Sequence, residues 1–262
     1  LSAGEESIGA AYDWDDILED LETLRQARPN DPFVTLRVAE VTRQRGPAGR
    51  EQALASYRSL LEQVEGRRDA PSREAAREAR RGLLAIYREQ LEEAMERGNR
   101  RDFDEVAAEA LVLANEPSEQ LSIRLLELEF AAGDVDRRLS LLQRIIEQYG
   151  ELALPGQSRE PVGLRLRVEL AELADRKGSA QVAVEAWQAL LLRYPRDRVE
   201  DGLVADVAPR QIQRILDRAG RAPYREIEAA AQAAFEAARE TENPAQLAAV
   251  AGSHAAWLRT QV

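Results

Sequence analysis

The chain has 262 residues, of which 44% are apolar and 5% aromatic, and its formal net charge is −11. This size and composition exclude a disordered chain, and the absence of cysteine excludes disulfides, thiolate metal sites and cysteine nucleophiles. The negative charge argues against nucleic acid and anionic lipid as partners, because both attract basic surfaces, and no apolar run is long enough for direct insertion into a membrane.

Apolar residues recur at the helical spacing almost throughout the chain, for example at Ile17 and Leu21. A helix-start signal at Asn30-Asp31-Pro32 and a helix-end signal at Lys177-Gly178-Ser179 are typical of the breaks between segments. We expect Gly178 to be left-handed and Ala132-Gly133-Asp134 to be a near copy of that turn. No segment alternates for long enough to predict a strand. The predicted helices span residues 2–12, 14–28, 32–45, 48–65, 71–98, 102–115, 118–132, 134–149, 160–177, 179–194, 208–219, 222–241 and 245–261, with the longest loops at 149–157 and 196–207.

A unit of about 34 residues recurs along the chain, which indicates a stack of helix pairs. The clearest unit spans Leu164–Asp197, a second begins at Pro32, and a weaker third covers Glu119–Gly150. Trp187 falls on a packing position and is therefore predicted to lie in the core. The packing positions are Leu170, Ala171, Ala174, Ala183, Trp187 and Leu190 in the first unit, Val38, Ala39, Thr42, Ala53, Tyr57 and Leu60 in the second, and Leu125, Leu126, Leu142 and Ile145, with Gly133 at the turn, in the third.

These units resemble the tetratricopeptide repeat, although none matches every position of its pattern. The resemblance implies an all-α fold: a right-handed solenoid of antiparallel helix pairs, degenerate and built from about 12–13 helices. We expect residues 1–262 to form a single helical-repeat array, with possible sub-blocks at 1–150 and 158–262. One helix pair cannot bury its apolar face alone, so stacked pairs share a core and leave a concave groove.

The C-terminal stretch carries a second pattern, with Pro223-Tyr224, Ile227-Glu228, Phe235 and Asn243-Pro244 around an alanine-rich helix. It resembles the helical regions that accompany pyrroloquinoline-quinone-type β-propeller repeats in large bacterial proteins. The resemblance implies a helical arm of a larger protein and favours an extracytoplasmic, periplasmic location over a cytoplasmic one, although the residues themselves leave the location unknown. The chain begins at Leu1 rather than at a methionine, which fits a processed product or a piece of a longer polypeptide.

The sequence offers little that predicts catalysis, a metal or a cofactor. His254 is the only histidine, and a single histidine near a chain end is more often a core or surface residue than a general base. No phosphate-binding glycine loop, serine elbow or His-Glu-x-x-His helix is present, so we expect no enzyme activity and no cofactor. The remote alternative is a hydrolase with two converging carboxylates.

Acid clusters begin several helices, where carboxylates cap the helix and oppose its dipole, at Asp13, Asp15 and Asp16, at Asp102, Asp104 and Glu105, and at Asp134 and Asp136. Arginine pairs have acids three or four residues away in most cases, which predicts intrahelical ion pairs, at Arg67-Arg68, Arg80-Arg81, Arg100-Arg101 and Arg137-Arg138.

In the tetratricopeptide repeat family, the first helix of each pair lines the groove. Carried over residue by residue, this predicts that Glu40 and Arg43 line one part of the groove and that Arg165, Glu172 and Asp175 line another. These mixed charges suit a polar peptide segment. The leading hypothesis is a non-catalytic protein–protein interaction or scaffolding module that binds another protein or another domain of the same polypeptide. The alternative is a structural arm that braces a β-propeller in that polypeptide.

Overall fold

The computed structural model describes residues 14–29, 31–152, 161–199 and 202–219, together with Glu236. The described residues are almost entirely helical, which confirms the predicted all-α fold class. Apart from Glu236, three predicted helices lie outside the described residues, at 2–12, 222–241 and 245–261. The same holds for Asp13, His254 and the C-terminal pattern from Pro223 to Asn243-Pro244. The elements are α1 (Trp14–Ala27), α2 (Pro32–Arg43), α3 (Pro47–Val64), α4 (Ala70–Glu96), α5 (Arg100–Leu113), α6 (Pro117–Phe130), α7 (Val135–Tyr149), α8 (Val162–Lys177), α9 (Ala180–Arg193), β1 (Arg198–Val199), β2 (Gly202–Leu203) and α10 (Val204–Ala219).

Aspartate side chains cap the first turns of two helices at their predicted starts. The side chain of Asp31 accepts a hydrogen bond from the Phe33 N–H, and that of Asp134 accepts one from the Arg137 N–H. Gly178 closes α8 with a φ of +84°, in the left-handed region where glycine is free of the Cβ clash. Gly133 does not adopt a positive φ, so the prediction that its turn copies the one at Gly178 is wrong in this respect.

The segment before α10 differs from its prediction. β1 and β2 form a two-stranded antiparallel hairpin where a loop was expected, and α10 begins at Val204 rather than at residue 208. Two-residue strands are too short to show any alternation, and Pro209, which lies inside α10, imitates a helix-start signal. The Val204 N–H donates to the carbonyl of Asp197, so the turn after α9 satisfies the start of α10.

The chain forms two compact units, Leu1–Asn115 and Glu116–Val262. In the first unit, the consecutive helices from α1 to α5 pack pairwise, α1 on α2, α2 on α3, α3 on α4 and α4 on α5, and α2 also packs against α4. In the second unit, each of α6 to α10 packs against the next. Of the loop predicted at 149–157, Tyr149 belongs to α7 and residues 153–157 lie outside the described residues. The helices on either side, α7 and α8, contribute to one core. The single array, its sub-blocks and its right-handed course stay predictions.

The packing positions of the two clear sequence units are all buried. Fully buried alanines, such as Ala39 on α2 and Ala171 on α8, leave no side-chain bulk between a helix and its neighbour. Trp187 is 3% exposed, which confirms its predicted place in the core. In the weaker third unit Leu125 and Leu126 on α6 are only partly buried, because α6 packs on a single helix of its own unit, α7.

Gly82 lies in the middle of α4, where glycine ordinarily weakens a helix. The ring of Tyr57 on α3 packs directly over it, and a Cβ at this position would lie 2.7 Å from Tyr57 Cε2 and 2.8 Å from Cε1. The aromatic ring itself is 1% exposed and cannot move into solvent. Gly82 therefore allows the close contact between α3 and α4 at the cost of helix propensity.

We expect Gly82→Ala to destabilise the protein by about 1–3 kcal/mol, because overpacking against Tyr57 outweighs the gain in helix propensity. The measurement is chemical denaturation followed by circular dichroism. Gly133→Ala is the control: its added methyl meets no atom within 4 Å, so its effect should stay within about 0.5 kcal/mol. A Gly82→Ala protein as stable as the wild type would contradict the close contact.

Replacement of Trp187 by alanine should cost about 3–5 kcal/mol, since it empties a large volume in the core of the second unit. The same substitution at Trp14, which is 38% exposed, serves as the matched comparison and should cost far less. Denaturation midpoints of the two variants measure the difference, and equal midpoints would refute the core assignment.

Candidate binding site

The five residues predicted to line a groove lie on two helices in separate units. Glu40 and Arg43 are on α2, and Arg165, Glu172 and Asp175 are on α8. Each set is therefore a separate candidate surface. The two sets differ in how many of their charges are already bound within the protein.

On α2, both predicted residues are engaged in ion pairs. Arg37 Nη1 donates to Glu40 Oε2 at 2.5 Å, one turn away on the same helix. Arg43 binds Glu89 of α4, so its guanidinium connects two helices that also pack against each other. A partner would have to displace these contacts before using either charge.

The contact of Arg43 with α4 is part of a larger network at the ends of three helices. Arg50, at the start of α3, binds Glu93 of α4 at 2.5 Å and approaches Glu89 at 3.6 Å. Its side chain is only 15% exposed, so these pairs are screened less than ordinary surface pairs. Sequence analysis missed Arg50 as a connector, because a pairing partner about forty residues away leaves no local pattern.

Tyr57 lies beneath this charged surface. Burial, and secondarily the negative charge of Glu40, raises the pKa of the Tyr57 hydroxyl to about 12, although Arg43 and Arg37 act in the opposite direction. The predicted residues of α2, Glu40 and Arg43, thus lie close enough to the buried Tyr57 to act on its hydroxyl electrostatically.

On α8, Arg165 and Glu172 are exposed and point away from the core. Seven residues on a helix correspond to nearly two full turns, so the two side chains lie on the same face, about 10 Å apart along the axis. Neither makes an ion pair with any residue that the structure describes. Their charges are opposite, and no described residue neutralises either of them.

Asp175, the third predicted residue of α8, has a structural role. Its side chain is 11% exposed and accepts hydrogen bonds from Arg214 at 3.1 Å and Arg218 at 3.2 Å, both on α10. Two arginines one turn apart converge on one carboxylate and connect α8 to α10. The charge of Asp175 is consequently satisfied within the unit.

The other side of α8 is tied to α7. Arg138 binds Glu169 at 2.5 Å, and Lys177 binds Asp136. The prediction of an intrahelical pair is wrong for Arg138, whose partner lies on another helix. It is confirmed for three other arginines of the predicted pairs, which bind acids three or four residues away: Arg81 to Glu78, Arg100 to Asp104 and Arg101 to Glu105.

Arg167, also on α8, was not anticipated from the sequence. Its side chain lies in the core at 6% exposure, where Nη1 donates to the Tyr194 hydroxyl at 3.2 Å and the guanidinium stands 5.6 Å from the ring centre. Burial lowers the pKa of the guanidinium, which nevertheless stays charged at neutral pH. A Cβ at Gly163 would collide with the backbone carbonyl of Gly150 and with Nη1 of Arg167, so the glycine makes room for both.

The acid clusters show no arrangement suited to a metal. Among residues 14–219 that the structure describes, no three His, Cys, Asp or Glu side chains converge into a possible ion site. Asp134 caps α7, and Asp104 and Glu105 bind arginines on their own helix.

None of the described helices has both the length and the apolar character needed to cross a membrane.

The raised pKa of Tyr57 predicts a loss of stability in alkali. The unfolded tyrosine ionises near pH 10 and the folded one near 12, so its contribution is complete below pH 10 and is lost as the pH rises from 10 to 12. The free energy of unfolding of wild type should therefore fall relative to that of Tyr57→Phe across this window. Parallel curves for the two proteins would show that burial does not suppress the ionisation of Tyr57.

A scan against protein-family models finds no family that matches the chain, and a search of curated proteins finds no match either. Any functional assignment thus rests on the surfaces described above.

Proposed function

We propose that the protein is a non-catalytic interaction or scaffolding module that binds a polypeptide partner across the α8 face, defined by Arg165 and Glu172. The observation that supports the proposal is the pair of exposed, opposite charges on one helix face with no internal ion pair among the described residues. Such a pair selects a partner with the reversed order of charges and repels one with the same order.

The surroundings of the α8 face also favour this surface. On one side Glu169 is held by Arg138, and on the other Asp175 is held by two arginines of α10. These interhelical pairs hold α8 against both neighbours, so Arg165 and Glu172 stand on a rigid support. A preorganised surface loses less conformational entropy on binding.

The α2 face is the weaker of the two predicted surfaces. Glu40 and Arg43 would each have to exchange an existing ion pair for one with the partner, which yields little net free energy. The partner of the α8 face is expected to be another protein or another domain of the same polypeptide.

The test exchanges the two charges in the double variant Arg165→Glu/Glu172→Arg, which keeps the net charge unchanged. Proteins from the native source are captured on the immobilised chain and quantified by mass spectrometry, and the affinity of each captured protein is then measured directly. We expect the affinity of the true partner to fall at least about tenfold, because attraction becomes repulsion at both positions.

The matched control is Arg144→Glu/Glu147→Arg on α7, where two exposed residues of opposite charge lie one turn apart in the same unit. This variant should retain the partner at wild-type affinity. If both double variants bind every captured protein as tightly as the wild type, the α8 face is not the binding surface.

A further inference from the structure

A cleft of about 580 Å³ opens in the first unit, away from Glu40 and Arg43, and no prediction from the sequence includes it. It lies between α1 and α3, with Thr35 of α2 between them. We call it the α1–α3 cleft. Its lining consists of Arg25, Gln26, Pro29, Thr35, Gln52, Ala55, Ser56, Ser59 and Gln63.

The lining of the cleft is nearly uncharged. Charged residues make up 32% of the chain, yet among the residues that the structure describes Arg25 is the only charged one that lines the cleft, and it already binds Glu22 at 2.7 Å. The other lining groups are amides, hydroxyls and small apolar groups. A charged ligand would therefore lose hydration without gaining a counter-charge.

The side chains along α3 set the length of the cleft. Gln52 and Gln63 stand at its two ends, and small residues such as Ala55 and Ser59 lie between them. Eleven residues of helix span about 16 Å, which equals the length of about five residues of extended chain. The small side chains in the middle of this stretch of α3 leave the cleft open, and the amide side chains of Gln52 and Gln63 border its two ends.

The hydrogen-bonding groups leave both donors and acceptors available. The Ser56 hydroxyl donates to the carbonyl of Gln52 at 2.9 Å, so its oxygen lone pairs remain open to an N–H group. The side-chain amide of Gln63 donates to the Ser59 hydroxyl oxygen at 3.2 Å. The hydroxyl hydrogen of Ser59 can therefore bind a carbonyl group of a ligand, and the side-chain oxygen of Gln63 can accept from an N–H group.

We infer that the α1–α3 cleft binds an extended, uncharged polypeptide segment of about five residues, mainly through its backbone. An extended backbone presents N–H and C=O groups along its length, which match the neutral donors and acceptors of α3. A helical ligand pairs its own backbone N–H and C=O groups internally, so these groups would not bind the donors and acceptors of α3. Nucleic acid would require free basic groups to neutralise its phosphates. This site is independent of the α8 face and goes beyond the proposed function.

The test begins with a displayed library of random linear peptides, which is selected on the whole immobilised chain. Enriched peptides are synthesised with capped ends, and their affinities are measured by fluorescence anisotropy. Ser59→Arg places a long charged side chain in the centre of the cleft and should weaken binding at least about tenfold. The arginine fills the space of the peptide, and a bound peptide would bury its charge without a counter-charge. Ser59 is exposed, so the variant should remain folded.

Ser122→Arg is the matched control, since Ser122 is likewise an exposed helical serine but lies on α6 in the other unit. It should bind the peptides as the wild type does. N-methylation of the peptide backbone should abolish binding if the backbone is the recognised feature.

Three results would overturn the inference: no peptide is enriched, the enriched peptides bind Ser59→Arg normally, or N-methylated peptides bind as well as their parents. Peptides that fail to bind Arg165→Glu/Glu172→Arg but still bind Ser59→Arg would support the α8 face and refute the cleft. Loss in Ser59→Arg alone would support the cleft, whatever the outcome for the α8 face.

Discussion

The structure depends on the need of the helices in each unit to bury their apolar faces against their neighbours along the chain. A helix pair cannot do this alone, and successive helices therefore share their faces along the chain. Ala39 and Ala53 in the first unit, and Ala171 and Ala183 in the second, are completely buried at these shared faces. Larger side chains there would hold the helices apart, and the core would lose the contacts that make the stack stable.

Charged side chains provide a second layer of connection on top of this apolar core. Arg43 joins α2 to α4, Arg138 joins α7 to α8, and Asp175 joins α8 to α10. The pairs of Arg43 and Arg138 are partly buried on both sides, whereas in the pairs of Asp175 the carboxylate is largely buried and the arginines are exposed. A charge that is used in this way is not available to a partner. Arg165 and Glu172, which form no ion pair with any residue that the structure describes, therefore carry the proposed function.

The two proposed surfaces differ in their chemistry. The α8 face is charged and exposed, so it suits recognition by complementary side chains. The α1–α3 cleft is recessed and nearly neutral, with Gln52 and Gln63 at its ends, so it suits recognition of backbone groups.

The helical class, most helix boundaries and the buried positions of the clear units can be predicted from the amino-acid sequence, because these depend on local periodicity and on caps such as Asp31 and Gly178. Four features could be seen only in the folded chain: the charges that pair between helices, the burial of Arg167 against Tyr194, the hairpin before α10, and the cleft bordered by small residues of α3. These features depend on how helices distant in sequence approach each other. No local pattern encodes that approach, since the same exposed arginine can bind an acid on its own helix or one on the next.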